Sequence, residues 1–122
     1  MMPPSVPLST IAHARSGDKG NHANVAVLAY TRDGFFWLRE HLTAEAVAKY
    51  FKELKPARVV RYEAENVMGF NFVLYDVLAG GASRSLRIDT QGKTLAVSLL
   101  QMPISVTQGL RGMRRRVRRK RS

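Results

Sequence analysis

The chain has 122 residues, 45% of them hydrophobic, which suits one small domain and is short for two. It contains no cysteine, so disulfides, thiolate metal sites and cysteine nucleophiles are excluded, and no apolar run approaches the about 20 residues that span a membrane. Its net charge of +11 is typical of proteins that bind polyanions, but most of that charge lies in one C-terminal run.

The N-terminal residues 1–7 hold three prolines and predict an extended segment. They lack the basic and long apolar regions of a signal peptide, so we expect a cytoplasmic protein. Alternation over residues 8–14 then predicts a first strand that ends near His13.

A polar stretch follows at residues 13–24 and reads as a compact loop between two strands. Glycine permits positive φ and exposes backbone N–H groups, which attract anions beside a lysine or arginine. The loop therefore predicts an anion or ligand site, whose candidate residues here are Arg15, Ser16, Gly17, Gly20, Asn21 and Asn24. The alternative is a well-made turn in which Ser16, Asp18 and Asn21 bond the local backbone.

Candidate catalytic groups in the same loop are Asp18 and Lys19 as acid and base, with His22 as a proton relay. The glycine spacing matches neither a phosphate-binding P-loop nor a dinucleotide fingerprint. Three scattered histidines make no metal signature, so we identify no metal site and no cofactor.

Residues 24–30 are apolar on both faces and predict a central strand. Asp33 is a candidate cap for a short helix over residues 35–41, and Thr43 for a main helix whose buried face is Val47, Tyr50, Phe51 and Leu54. We expect Trp37 and its neighbouring phenylalanines to form core or subunit contacts rather than an acyl site.

The remaining elements complete an α+β pattern. Residues 58–63 predict a third strand, and the spacing of Phe70, Val73, Leu74, Val77 and Leu78 predicts a second helix that ends at Gly80-Gly81. Strands over residues 84–89 and 94–102 then form a hairpin. The order predicts a two-layer sandwich with a mainly antiparallel sheet and two helices on one face, leaving an uncovered sheet face or edge where a partner can dock.

A second glycine-rich segment, residues 80–85, adds Ser83, Arg84 and Ser85 as candidate anion-binding residues. Alone it predicts a helix stop followed by a strand. We expect it to meet residues 16–20 at one end of the sheet, where a basic pocket would suit a carboxylate, phosphate or thioester carbonyl.

The C-terminal residues 105–122 predict a flexible, arginine-rich tail. Residues 111–121 carry eight arginine and lysine side chains and no acid, which leaves a net charge of only +3 for the rest of the chain. Such a run binds nucleic acid nonspecifically through counterion release, so we do not expect nucleic acid as a specific partner.

Several ordered motifs resemble one protein family. Residues 14–21, Ala-Arg-Ser-Gly-Asp-Lys-Gly-Asn, followed by Asn24-Val-Ala-Val27, are similar to the opening motif of the small C-terminal domain of the acyclic terpene utilisation (AtuA) family. Further matches follow in the same order: Leu42-Thr-Ala-Glu45, Tyr50-Phe51, Arg61-Tyr62-Glu63, Asn71-Phe72-Val73-Leu74, Gly80-Gly81, Ser83-Arg84-Ser85-Leu86-Arg87, Asp89 and Gly92-Lys93-Thr94. The resemblance covers residues 8–104. We therefore expect the chain to be the small module made as a separate polypeptide, without the large N-terminal domain that usually precedes it.

The resemblance implies a ferredoxin-like fold over residues 8–104 and a link to the catabolism of branched or terpenoid acids as coenzyme A thioesters. It favours an accessory subunit that completes a larger AtuA-like partner. Two alternatives stand beside it: a small homo-oligomeric hydratase or isomerase acting on acyl-CoA, and a nucleic-acid-binding module driven by the tail. We therefore leave open whether the chain is an enzyme, with a coenzyme A thioester as the candidate substrate and a homodimer or higher oligomer as the alternative assembly.

Overall fold

The computed structural model describes residues 5–77 and 94–115. Three sequence predictions lie outside these residues: the helix end at Gly80-Gly81, the strand over residues 84–89 with its hairpin, and the anion-binding role of Ser83, Arg84 and Ser85. The expected meeting of the two glycine-rich segments lies outside them too.

The described chain contains six strands and four helices, which alternate in an α+β order. The strands are β1 (Val6–Pro7), β2 (Ala12–Lys19), β3 (His22–Ala29), β4 (Arg58–Ala64), β5 (Gly69–Tyr75) and β6 (Pro103–Ile104). The helices are α1 (Arg32–His41), α2 (Ala44–Tyr50), α3 (Leu95–Leu100) and α4 (Leu110–Met113). Short 3₁₀ turns occupy Leu8–Thr10, Lys52–Leu54 and Glu65–Val67.

Four strands form one antiparallel sheet in the order β2-β3-β5-β4. A separate two-stranded sheet pairs β1 with β6. Because strand side chains alternate, one face of the main sheet carries Ala23, Val25 and Val27 beside Phe70, Phe72 and Leu74, all of them buried.

The helices cover this buried face. Phe35 and Leu38 of α1, Val47 of α2 and Leu99 of α3 are fully buried in the same cluster as the sheet residues. The expectation of an α+β sandwich with helices on one face of an antiparallel sheet is thereby confirmed. Among the described helices, none is long and apolar enough to cross a membrane.

Threonines begin three of the helices. Thr31, Thr43 and Thr94 each accept a hydrogen bond from the backbone N–H three residues later, at 3.1, 3.0 and 3.2 Å. The Thr43 prediction is confirmed, whereas the cap of α1 is Thr31 and not Asp33. Because Thr31 stands two residues earlier than Asp33, α1 begins at Arg32 and not at residue 35.

The polar stretch of residues 13–24 is not a loop. It forms most of a β-hairpin in which Lys19 pairs with His22, leaving a two-residue turn of Gly20 and Asn21. Gly20 has φ +62°, and hairpin turns of this length favour glycine at their first position. Polar residues extend as strand here because β3 is an apolar central strand that offers β2 a complete ladder of backbone partners. The first predicted strand also starts late, since Leu8–Thr10 forms a 3₁₀ turn.

In two other segments the structure has a strand where the sequence predicted a helix, or a helix where it predicted a strand. The stripe predicted as a helix over residues 70–78 is instead strand β5, because Phe70, Phe72 and Leu74 alternate onto the core between two neighbouring strands. The predicted last strand over residues 94–102 contains helix α3, which buries Leu95, Ala96, Ser98 and Leu99. Short apolar runs fit both periods, and burial against neighbouring elements decides between them.

The ends of the chain are more structured than the sequence predicts. Val6 and Pro7, placed in an extended N-terminal segment, pair with Ile104 and Pro103. The first residues of the predicted flexible tail form α4, where Met113 is only 8% exposed. The Thr31 hydroxyl donates to the carbonyl of Gly112 at 2.7 Å, so the beginning of the tail is held against α1.

The strand assignment of β5 has a direct test. A helix would bury Val73 and not Phe72, whereas the strand buries Phe72 completely and leaves Val73 half-buried. We expect Phe72→Ala to lower the free energy of unfolding by about 3–5 kcal/mol and Val73→Ala to lower it by less than about 1.5 kcal/mol. Urea unfolding of both variants measures the difference, and a larger loss in Val73→Ala would contradict the strand.

Candidate ligand site on the open sheet face

The side of the main sheet opposite the helices is the open face. Apart from the buried Gly69, the side chains that the structure describes on this face are half-buried or exposed, and none of the described helices packs on it. By strand alternation and register the open face comprises His13, Arg15, Gly17, Lys19, His22, Asn24, Ala26, Leu28, Arg58, Val60, Tyr62, Ala64, Gly69, Asn71, Val73 and Tyr75.

A shallow cavity of about 360 Å³ lies at the hairpin end of this face. Its lining comes from two neighbouring strands, β3 and β5, and consists of His22, Ala23, Asn24, Asn71, Val73 and Tyr75. The volume is at the lower end of the range of small-molecule sites, and such sites combine apolar walls with a few convergent polar groups.

Two carboxamides form the polar floor of the cavity. Asn24 Nδ2 donates to Asn71 Oδ1 at 3.0 Å, which fixes the two side chains relative to each other across β3 and β5. Gly17 lies directly opposite Asn24 on β2, and a Cβ at Gly17 would come within 3.2 Å of Asn24 Oδ1. The glycine therefore leaves the room that the Asn24 carboxamide occupies.

His22 forms one wall with a defined tautomer. Its Nδ1 accepts a hydrogen bond from the backbone N–H of Asp76 at 3.1 Å, so the neutral ring carries its proton on Nε2. The ring also meets the ring of Tyr75 edge-on, with centroids 4.8 Å apart. The carboxylate of Asp76 lies 3.8 Å from Nδ1 and is half exposed, so water screens its attraction to the ring.

Tyr75, Tyr62 and Arg58 form a polar aromatic row beside the cavity. The Arg58 guanidinium stacks over the Tyr75 ring, 4.4 Å from its centroid. A hydrogen bond from the Tyr62 hydroxyl lowers the pKa of Tyr75, and Arg58 adds a second hydrogen bond that lowers it further. The same hydrogen bond to Tyr75 raises the pKa of Tyr62, because ionising Tyr62 removes the donor proton.

The open face is cationic. None of its strand positions carries a carboxylate, whereas Arg15, Arg58 and the histidines at 13 and 22 lie on it. Positive side chains without competing acids attract anionic groups and acidic surfaces. The electrostatics of this face therefore suit an anion better than a cation or a metal ion.

The residues that the sequence predicted as one site lie in three places: on the open face, on the helix-covered face and in the hairpin turn. His22 and Asn24 line the cavity, Gly17 lies opposite Asn24, and Arg15 is the next open-face position along β2. Ser16 lies on the opposite, helix-covered side, and Gly20 and Asn21 form the turn.

The predicted acid and base also separate. Asp18 and Lys19 are consecutive strand residues, so their positions face opposite sides of the sheet. Their catalytic roles stay predictions, as does that of His22. Among the described residues, no group of three or more histidine, aspartate or glutamate side chains could hold a metal ion.

Sequence reasoning missed Asn71, Tyr75 and Arg58 as site residues. Asn71 and Tyr75 lie in the segment predicted as a helix, in which they would not face the hairpin. One signal was present: the alternation of Asn71, Val73 and Tyr75 with Phe70, Phe72 and Leu74 fits a strand with one polar face.

The described chain is thus an α+β sandwich whose exposed sheet surface carries a carboxamide-lined cavity beside cationic side chains. The family model of the AtuA ferredoxin-like domain matches residues 6–105. The chain therefore belongs to that family, as the motifs in its sequence predicted. No curated protein and no solved structure matches it.

The Tyr75–Tyr62 pair provides a test of the site geometry. We expect the Tyr75 phenol to ionise at lower pH than the Tyr62 phenol, since Tyr75 accepts the shared hydrogen bond. Carbon NMR of ring-labelled tyrosine follows each titration. In Arg58→Leu the pKa of Tyr75 should rise toward its ordinary value, and an unchanged Tyr75 titration would contradict the contact with Arg58.

Proposed function

We propose that the chain is an accessory domain that docks its open face against a larger AtuA-like partner. In that complex it contributes side chains to a shared site linked to the breakdown of terpenoid or branched acyl-CoA thioesters. Membership of the AtuA ferredoxin-like family supports the identity of the partner. The link to acyl thioesters is the expectation that comes with the resemblance to that family.

One observation carries the docking proposal: the open face combines cationic and apolar side chains with no carboxylate on its strands. Tyr62 is 52% exposed there, beside Arg58 and half-buried Val60. Tyrosine and arginine are enriched in the central parts of protein interfaces. The charge of this face fits a partner surface rich in aspartate and glutamate.

Capture of the partner tests the proposal. The tagged full-length chain is used as bait in a nuclease-treated lysate of the source cell, so that nucleic acid cannot bridge the arginine-rich tail to other proteins. We expect stoichiometric recovery of a large AtuA-family protein. Tyr62→Glu should reduce the recovery at least about tenfold, because it places a negative charge on the cationic docking face.

Val97→Glu is the matched control. Val97 is also an exposed apolar residue, 46% exposed, but it lies on α3 in the helix layer. Equal loss in both variants, or full retention in Tyr62→Glu, would refute docking through the open face. If only the bait returns, as an oligomer that Tyr62→Glu dissociates, the face instead binds a second copy of the chain.

A further inference from the structure

We propose that the cavity of the open face binds the acyl end of a small apolar carboxylic acid derivative. A carboxylate or thioester carbonyl oxygen is held by the carboxamide and imidazole donors of β3 and β5. The inference deepens the proposed function, because it assigns a ligand chemistry to one part of the face that docks the partner.

The lining side chains offer several N–H donors beside the carboxamide oxygens of Asn24 and Asn71. Asn24 uses one N–H of its carboxamide on Asn71 Oδ1, and in the described part of the chain the Nδ2 group of Asn71 has no acceptor. The Nδ1 lone pair of the neutral His22 ring accepts a hydrogen bond from the N–H of Asp76, so Nε2–H is left as a donor. A ligand that supplies only acceptor oxygens satisfies these groups, as a carboxylate or carbonyl does.

The charges around the cavity agree with that chemistry. No carboxylate lines it, and Arg58 stands beside Tyr75 at its edge. The Asp76 carboxylate lies 3.8 Å from His22 Nδ1, but it is half exposed and does not line the cavity. A negative or electron-rich oxygen is therefore favoured over an ammonium group, which would find no carboxylate among the lining side chains and would lie near the cationic Arg58.

The remaining lining selects an apolar substituent. Val73 and the Tyr75 ring supply apolar surface beside the carboxamides. The hydrocarbon chain on the acyl carbon packs against these side chains. Because the cavity opens onto the sheet surface, the thiol portion of a thioester has room to extend outside it.

The carboxamides are held in place before any ligand arrives. The Asn24–Asn71 hydrogen bond bridges the two strands, and Gly17 leaves the space beside Asn24 Oδ1. A donor that is already oriented loses little entropy on binding, so even a small site gains affinity from it.

Proton–nitrogen NMR of the full-length chain tests the inference. The probes are hexanoate, its N-acetylcysteamine thioester, and hexanol as a control with the same chain length and no carbonyl. We expect saturable shifts of the Asn24 and Asn71 side-chain amides with hexanoate, the thioester or both. Hexanol should bind at least about tenfold more weakly than the tighter acyl probe, because it has no carboxylate or carbonyl oxygen to accept from the N–H donors.

Comparison of the two acyl probes identifies the source of the oxygen. Tighter binding of hexanoate assigns the site to free acids, and tighter binding of the thioester assigns it to activated acyl groups. Either result supports the inference. Hexanol binding as tightly as both acyl probes, or no saturable shift at these amides, would overturn it.

Asn71→Asp is the decisive variant. Its Oδ1 still accepts the hydrogen bond of Asn24, so the fold is retained, but the Nδ2 donors are replaced by a negative charge. We expect at least about tenfold weaker binding of hexanoate. Asn66→Asp makes the same charge change in the exposed Glu65–Val67 turn and should leave the affinity unchanged.

The ligand assignment and the accessory role can be refuted independently of each other. If the acyl probes do not bind while the large partner is still recovered and lost in Tyr62→Glu, only the ligand assignment is refuted. Binding of the probes to a chain that captures no partner refutes the accessory role and retains the site. Equal weakening by Asn71→Asp and Asn66→Asp would show a general charge effect and overturn the role of Asn71.

Discussion

The antiparallel register of β2, β3 and β5 is the constraint on which the rest of the structure depends. The two-residue turn at Gly20 and Asn21 pairs Lys19 with His22, and each further pair follows from that one. A slip of one residue would exchange the two faces of a strand, moving core residues such as Val25 into solvent and the Asn24 carboxamide into the core. The hydrophobic core and the candidate site therefore share one determinant.

The same register sets the surroundings of the polar side chains on the two faces. On the helix-covered side, Arg61 donates to the carbonyls of Arg39 and Leu42 at 3.0 and 2.9 Å, at the negative end of α1. Glu63 pairs with the Arg39 side chain at 3.0 Å. Partners of this kind are needed where charge approaches a core, because an unpaired buried charge is costly. On the open face, by contrast, Arg58 and Tyr62 remain accessible to an external group.

Family membership and the chemistry of the open face answer two different questions, one about the fold and one about what the chain can bind. The match to the AtuA ferredoxin-like domain assigns the fold family, while Asn24, Asn71 and His22 define what this chain offers a ligand. Function is a property of such a site and not of the fold that carries it. The proposed docking and acyl-binding roles accordingly rest on side chains that can be substituted without changing the core.

The sequence by itself determined the α+β class, the family, the Thr43 cap and the strand over residues 58–63, because each has a local or motif signal. It also singled out Gly17, His22 and Asn24, although it placed them in a loop. Only the tertiary structure decided that residues 69–75 form a strand and residues 95–100 a helix, since short apolar runs fit both periods and neighbouring elements choose between them. Pairing of β5 with β3 is also what brings Asn71 to Asn24, a contact across 47 positions that no local pattern encodes.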